Sequence, residues 1–240
     1  MIKAIGIIPS RYESSRFPGK PLVDIGGKTM IRRVYEQAGK CAALSEVIVA
    51  TDDERIYNEV ESFGGKVMMT SLLHKNGTER CAEVLQQIFL DEKCIVVNIQ
   101  GDEPFIEPKQ IEILVQAFDD ENVQIATLIR AFYSEQEKAN PSRVKAFVNN
   151  NFDALMFSRK PLSNLVKESY QLYKHIGLYA FRSDILKQVV KLSPTDLEVE
   201  ESLEQLRWLQ NGYQIKCVLT TGETISIDTP DDLKQALSML

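Results

Sequence analysis

No apolar run in this 240-residue chain approaches the roughly 18–20 residues that a membrane-spanning helix needs, so insertion into a bilayer is not expected. Histidine occurs twice and cysteine four times, at Cys41, Cys81, Cys94 and Cys217, with no C-x-x-C spacing. That scarcity argues against a structural zinc site and a disulfide scaffold, and fits reduced thiols in the cytoplasm. Two familiar nucleotide-binding fingerprints are missing as well. A Walker A loop needs glycine five residues ahead of its Gly-Lys pair, and here Ser14 and Leu22 precede Gly19-Lys20 and Gly27-Lys28. Gly26-Gly27 does not complete a G-x-G-x-x-G, so P-loop NTPase and simple dinucleotide binding are both disfavoured. No Ser/His/Asp or Cys/His grouping for covalent catalysis stands out. Positive charge is short too: 28 Lys and Arg face 34 Asp and Glu, for a net charge of -6. The chain therefore does not read as a nucleic-acid binder, and a basic site must be a local cluster that holds a small anion. Its opening, Met1 to Pro9, is apolar but too short for a secretory signal and lacks a small-residue cleavage site. A soluble cytoplasmic protein is expected.

What is present is an ordered alternation. Ala4–Ile8, Val47–Ala50, Val67–Met69 and Ile95–Ile99 are nearly continuous apolar runs, the pattern of strands buried on both faces of a parallel sheet. Between them Met30, Val34 and Ala38 recur at helical spacing, as do Ile56, Val60 and Phe63, then Ala82, Leu85 and Phe89. Pro108 opens a further helix through Ile111, Leu114 and Phe118. This β-α-β-α order predicts an open, mostly parallel α/β sheet flanked by helices, with ligands beyond the carboxyl ends of its strands. The second half has a different rhythm. Ile125–Ile129, Val144–Val148, Ile176–Phe181 and Ile215–Leu219 read as strands, with Asn149-Asn150-Asn151 as a turn between two of them. One helix is expected over about Asp196 to Asn211, with Val199, Leu203 and Leu206 on one face, and a short one after Pro230. The expected layout is a single domain, with a nucleotide-binding core at about 1–122 and 212–240. A smaller mixed-strand insertion at about 123–211 would carry a second substrate or a dimer contact.

Three clusters follow predicted strands. In Pro9-Ser10-Arg11-Tyr12-Glu13-Ser14-Ser15-Arg16-Phe17-Pro18-Gly19-Lys20-Pro21-Leu22 the prolines and glycine forbid a regular helix. Three cations interleaved with serines suit a polyphosphate, the guanidiniums as forks and the lysine as a mobile point charge. A solvated basic loop is the plainer alternative. In Asn98-Ile99-Gln100-Gly101-Asp102-Glu103-Pro104 a carboxylate stands on a glycine turn just past a strand. Beside a polyphosphate it suggests Mg²⁺, which takes one or two carboxylates plus phosphate oxygens; an ordinary turn aspartate is the alternative. In Ser226-Ile227-Asp228-Thr229-Pro230, Asp228 follows an alternating strand and is either an N-cap or a second metal ligand. His175 heads an apolar strand, where a structural role is the commoner one, and His74 receives no role. Gly77-Thr78-Glu79-Arg80 opens a helix whose N-terminus favours anions.

Together these strings resemble the 3-deoxy-manno-octulosonate (Kdo) cytidylyltransferase family from end to end. Phe157-Ser158-Arg159, Lys174-His175-Ile176-Gly177-Leu178-Tyr179, Leu203-Glu204-Gln205-Leu206-Arg207 and Asp228-Thr229-Pro230-Asp231-Asp232-Leu233 carry the resemblance in the second half. Ser10 stands where that family more often has alanine, and Lys160 precedes Pro161 where it commonly has an apolar residue. The resemblance implies a nucleotidyltransferase fold with a dimerising region and a homodimer. It also implies transfer of CMP from CTP to the sugar acid, for lipopolysaccharide synthesis. Arg11, Ser14, Arg16 and Lys20 would hold the triphosphate, and Arg80 and Gln100 nucleotide or sugar. Asp102 and Asp228 would bind Mg²⁺, while Arg159, His175, Glu204 and Gln205 would line the sugar-acid pocket. Arg11, Lys20, Asp102 and Asp228 would carry the chemistry.

Two rival readings stand beside this one. A cytidylyltransferase for another sugar acid, a sialic acid or an amino-substituted Kdo, would share the chemistry. A nucleotide-binding module without catalysis would not need both carboxylates. If Asp102 and Asp228 face each other, mutual repulsion predicts that Asp→Asn leaves stability level or raises it; an N-cap role for Asp228 predicts a silent change.

Overall fold

A computed structural model describes residues 3–13, 17–88, 93–160, 170–222 and 226–238. Its contacts divide the chain into Met1–Glu112 with Glu223–Leu240 as one unit and Ile113–Gly222 as the other.

In the first unit the apolar runs are strands: β1 (Ala4–Ser10), β2 (Glu46–Thr51), β3 (Val67–Met69) and β4 (Ile95–Asn98). They lie in the order β3-β2-β1-β4, and each of the pairs β1–β2, β1–β4 and β2–β3 is parallel. Ile5, Ile7, Ile8, Val49, Val96 and Val97 are inaccessible to solvent, which is why the runs of β1, β2 and β4 show no alternation, whereas β3, at the end of the strand order, is half-buried to exposed and not covered on both faces as expected. The connecting helices are α1 (Met30–Gly39), α2 (Glu54–Ser62) and α3 (Gly77–Ile88), followed by α4 (Pro108–Gln116). Thr29 and Asp53 cap α1 and α2 through their side chains. Phe63 falls just past α2 as its C-cap, and Phe89 lies outside the described residues. From β1 the chain runs outward through β2 to β3, then returns to β4 on the other side of β1. The crevice beyond the ends of β1 and β4 is thus a topological switch point, where ligands of such sheets bind.

In the second unit β5 (Ile125–Arg130) is followed by α5 (Glu135–Ala139), β6 (Lys145–Val148), β7 (Ala154–Ser158) and β8 (Gln171–Arg182). Then come α6 (Ser183–Val189), α7 (Asp196–Glu201), α8 (Gln205–Gln210) and β9 (Ile215–Leu219). β5 is antiparallel to β8 and parallel to β9, and β6 is antiparallel to β7 and β8, the expected mixed arrangement. The asparagine turn closes the β6–β7 hairpin, with Asn149 Oδ1 accepting from the Asn151 and Asp153 amides, both at 2.9 Å. α9 (Pro230–Leu237) belongs to the first unit. The division differs from the sequence layout in that 113–122 and β9 group with the second unit.

Two expectations are corrected. Of the alternating strand expected ahead of Asp228, the described part, Ser226 and Ile227, is irregular, and 223–225 lie outside the described residues. The helix expected over Asp196 to Asn211 is two short helices broken at Ser202, which adopts left-handed φ 53, ψ 49. Val199 is exposed while Leu203 and Leu206 are buried, so the three do not share a face. The break has a physical cause. Glu201 turns inward and accepts from Ser158 Oγ at 3.2 Å and the Arg159 amide at 2.8 Å. Serine next to it is a weak helix former that yields readily. Arg207 then bridges the two helices by a fork onto Glu198, at 2.8 and 2.5 Å.

Ser202→Gly separates the two geometries. At a left-handed position it should raise stability by roughly 0.5 kcal/mol. Inside a continuous helix it should lower it by about 1 kcal/mol. Thermal unfolding of the single variant decides.

Candidate active site

The loop after β1 is fixed at both ends. The Gly19 amide donates to the Tyr12 carbonyl at 2.9 Å, and Gly19 has φ 71 with its α-carbon against the Tyr12 ring, where a Cβ would meet ring atoms at 3.0 Å. Only glycine fits that turn. The Arg55 guanidinium covers the Tyr12 ring and is itself held by Asp53. Lys20 then opens a short 3₁₀ turn, Lys20–Leu22, and its side chain, 15% exposed, points into the crevice. After β4, Gly101 passes so close to β1 that a Cβ would sit 3.0 Å from the Pro9 carbonyl oxygen, which places Asp102 beside Lys20.

The Lys20 ammonium donates to Asp102 Oδ2 at 2.7 Å, to Asp228 Oδ1 at 3.1 Å and to the Ile227 carbonyl at 3.2 Å. Asp102 and Asp228, 126 positions apart in the chain by their numbers, thus converge on one cation. The Ile227 amide donates to the Asp102 carbonyl at 2.9 Å and staples the two segments together. Asp228 is not the cap of α9. Thr229 is, in a capping box with Asp232, whose carboxylate also accepts from the Asp228 amide at 3.0 Å. The Asp228 carboxylate is therefore committed to the crevice. Because an ammonium already lies between the two carboxylates, the expected relief of repulsion in an Asp→Asn variant does not apply; such a change removes an ion pair instead.

These groups line a cavity of about 270 Å³ together with Arg11, Arg80 and Gln100. Four lining cations, Arg11, Lys20, Lys75 and Arg80, stand against two carboxylates, Asp102 and Asp228, so the wall suits a polyanion despite the acidic chain. Arg80 is buried and its guanidinium is pinned by Asp52 at 2.6 Å and by Thr70. Gln100 Nε2 lies 3.5 Å from Asn98 Oδ1. Ser14 and Arg16, also expected here, lie outside the described residues. Sequence reasoning missed His74, Lys75 and Asn76, which line the same cavity. The signal available was their position directly before Gly77-Thr78-Glu79-Arg80. His74 Nε2 is engaged by Glu83. Among the described residues no group of three or more His, Cys, Asp or Glu could hold a metal. Two carboxylates suffice for an ion that keeps phosphate and water ligands, and the bridging ammonium shows that both reach one cation position.

The remaining expected residues belong to the second unit. Where β5 meets β8 the register slips between Thr127 and Leu128. The Thr127 hydroxyl fills the irregularity, 2.9 Å from the Leu178 carbonyl, 3.2 Å from the Ile176 carbonyl and 3.0 Å from His175 Nε2. Carbonyls only accept, so the hydroxyl proton goes to one of them, and the imidazole must donate its Nε2–H to the hydroxyl oxygen. Phe157 packs edge-on against His175 at 5.0 Å and Tyr179 lies at 5.4 Å. Burial, with the nearby Arg159 charge, holds the His175 pKa down to about 3. Arg159 is fixed through its Nε on the Glu201 carbonyl at 3.0 Å, and the Lys145 ammonium donates to its carbonyl at 2.8 Å. Burial pushes the Tyr179 hydroxyl well above its ordinary pKa, with the Glu204 charge adding to the rise. Gln205 is buried at the start of α8, and its Nε2 has no hydrogen-bond partner among the described residues. A buried donor of this kind is one that an added oxygen acceptor would satisfy.

Over residues 5–220 the chain matches the family described as cytidylyltransferase. It is 51% identical to a 3-deoxy-manno-octulosonate cytidylyltransferase of Parabacteroides distasonis, with all of this chain and 99% of that protein aligned. A protein of the same description from Bacteroides thetaiotaomicron is 50% identical over all of this chain and 98% of its own length. A solved structure of a CMP:2-keto-3-deoxy-manno-octonic acid synthetase complexed with CTP is similar at a TM-score of 0.91 and 44% identity, covering 99% of this chain and 98% of that one.

The state of His175 sets a pH dependence. Its folded pKa near 3 lies below the ordinary 6.5, so the unfolded chain binds more protons between those values. Its contribution to stability is fully present above 6.5 and is lost as pH falls towards 3. Unfolding measured from pH 7 to 5, above the carboxylate range, should show stability declining with acid, and His175→Gln should flatten that slope. An NMR titration that finds His175 protonating near 6.5 would contradict the assignment.

Proposed function

The chain belongs to the cytidylyltransferase family, and from that premise we propose that it transfers CMP from CTP to the anomeric hydroxyl of 3-deoxy-manno-octulosonate, giving CMP-Kdo and pyrophosphate. It is a nucleotidyltransferase. The observation that carries the site assignment is the convergence of Lys20, Asp102 and Asp228 at the switch point of the sheet. In the reaction the sugar oxygen forms a bond to the α-phosphorus as the bond to the pyrophosphate oxygen breaks. No protein nucleophile is required.

Both reactants are anions, so the protein must neutralise and align them. Arg11 and Lys20 would hold the triphosphate, with Ser14 and Arg16 assigned beside them by family resemblance. Asp102 and Asp228 would hold Mg²⁺, which when bound neutralises phosphate oxygens and favours departure of pyrophosphate. Arg80 and Gln100 would complete the nucleotide wall, Arg80 as a residue already locked by Asp52. Arg159 would meet the carboxylate of the sugar acid. His175, kept neutral and in one tautomer by Thr127, would serve as a fixed hydrogen-bonding group rather than an acid. Glu204 and Gln205 would take sugar hydroxyls. The product would feed lipopolysaccharide synthesis in the cytoplasm. No helix among the described residues is long and apolar enough to cross a membrane, and all four cysteines are buried.

Incubation with CTP, Mg²⁺ and a panel of ulosonic acids, followed by pyrophosphate release, tests the activity. Kdo should be the preferred acceptor; preference for a sialic or amino-substituted acid would reassign the substrate. In the same assay Asp228→Asn should cut turnover by about 100-fold or more. Thr229→Ala, which removes the helix cap next to it, should lower stability by about 1 kcal/mol and leave turnover within a few-fold. A fully active Asp228→Asn protein removes that residue from the metal site.

We also propose a homodimer formed through the second unit, on the strength of the family resemblance. Light scattering at micromolar concentration should give about twice 27.2 kDa; a monomer mass contradicts it.

A further inference from the structure

We propose that Lys20 is a tethered counter-ion: it fills the divalent-cation position between Asp102 and Asp228 in the nucleotide-free protein, and is exchanged onto the substrate's phosphates when the cation arrives. The proposal rests on the reading of Asp102 and Asp228 as metal ligands. An ammonium has three donors. In Lys20 all three are spent, on Asp102 Oδ2 at 2.7 Å, Asp228 Oδ1 at 3.1 Å and the Ile227 carbonyl at 3.2 Å. No donor is left for a triphosphate. The position Lys20 takes here and its role on the phosphates are therefore successive, not simultaneous.

The surroundings decide which partner moves. The backbone on the carboxylate side is stapled, by the Ile227 amide on the Asp102 carbonyl and by the Asp228 amide on Asp232. The backbone on the lysine side is fixed as well, by the Gly19 amide on Tyr12 and the Leu22 amide on Gly19. What remains free to swing is the flexible four-carbon stem of Lys20, carrying a compact charge that suits either partner. The ammonium keeps two neighbouring carboxylates compensated. It also opposes a metal ion that arrives alone, because that ion must displace a positive charge and occupies the same oxygens. A metal ion that arrives with a triphosphate brings the ammonium's new partner with it. Metal and nucleotide binding are then coupled, each favouring the other, through one side chain.

Mn²⁺ binding without nucleotide, read from the free ion by electron paramagnetic resonance, tests this directly. Lys20→Met and Lys20→Gln should each bind Mn²⁺ about tenfold more tightly than the unaltered protein, or better. Asp102→Asn should bind it more weakly. If the Lys20 variants bind no more tightly while Asp102→Asn is weakened, the metal site stands and the exchange is overturned. If none of the three changes Mn²⁺ affinity, the metal-site reading falls and takes the exchange with it. A second measurement needs no variant. Acylation of Lys20 by an amine-directed reagent, read by mass spectrometry, should rise several-fold when Mn²⁺ is added to the unaltered protein. An unchanged Lys20 labelling rate overturns the proposal.

Discussion

A strand buried on both faces can offer chemistry only at its ends. β1 runs between β2 and β4 with Ile5, Ile7 and Ile8 fully inaccessible, and this constraint arranges the rest of the first unit. Polar groups are expelled to the loop that begins after Ser10 and to the turn after Asn98. Because β4 returns on the opposite side of β1 from β2, those two segments open onto one crevice. The close pass of Gly101 by the Pro9 carbonyl and the left-handed turn at Gly19 then place Asp102 and Lys20 within a hydrogen bond of each other. The site follows from the sheet rather than being added to it.

An acidic chain that must hold a polyanion meets an electrostatic conflict, and its carboxylates resolve it by holding cations in place. Arg80 is locked by Asp52, Arg55 by Asp53, Arg130 by Glu137 and Arg207 by Glu198. In Arg55 and Arg207 both arms of a planar fork are engaged, so the cation is fixed in direction as well as position. Lys20 differs in kind. Its partners are themselves the carboxylates of the site, and its charge is a point on a flexible stem. Of the fixed guanidiniums, Arg80 lines the cavity and shapes its wall; the mobile Lys20 ammonium answers to what enters.

Continuous apolar runs make β1, β2 and β4 legible in the sequence, since burial on both faces leaves a mark at every position, whereas β3 carries an apolar run although it is half-buried to exposed at the sheet edge. The cations and carboxylates after β1 and β4 were legible for the same reason, because strand ends mark the ligand edge. Asp228 was ambiguous: Asp and Thr stand side by side before Pro230, and either caps a helix. The choice of Thr229 depends on Asp232 reaching back to both amides. The break at Ser202 was hidden because its cause is remote, Glu201 being drawn to Ser158 over 43 positions of chain. His74 to Asn76 are hard to read in the sequence because they belong to no regular element and show their place only where the loop comes back to the cavity.

The second unit handles charge by the opposite device. His175 is prevented from becoming a cation by burial and by the Arg159 charge, and Thr127 sets its tautomer through a slip in the β5–β8 register. The surroundings then offer the Arg159 guanidinium and a neutral imidazole at His175 whose Nε2–H is spent on Thr127, leaving Nδ1 as an acceptor. A sugar acid held there through its carboxylate, as proposed, would meet the same field at pH 6 as at pH 8. An ionisable histidine would instead add a second cation in acid and make the hold on the carboxylate vary with pH. Burying an imidazole beside a guanidinium lowers stability in acid, and the return is a binding site whose charge is constant.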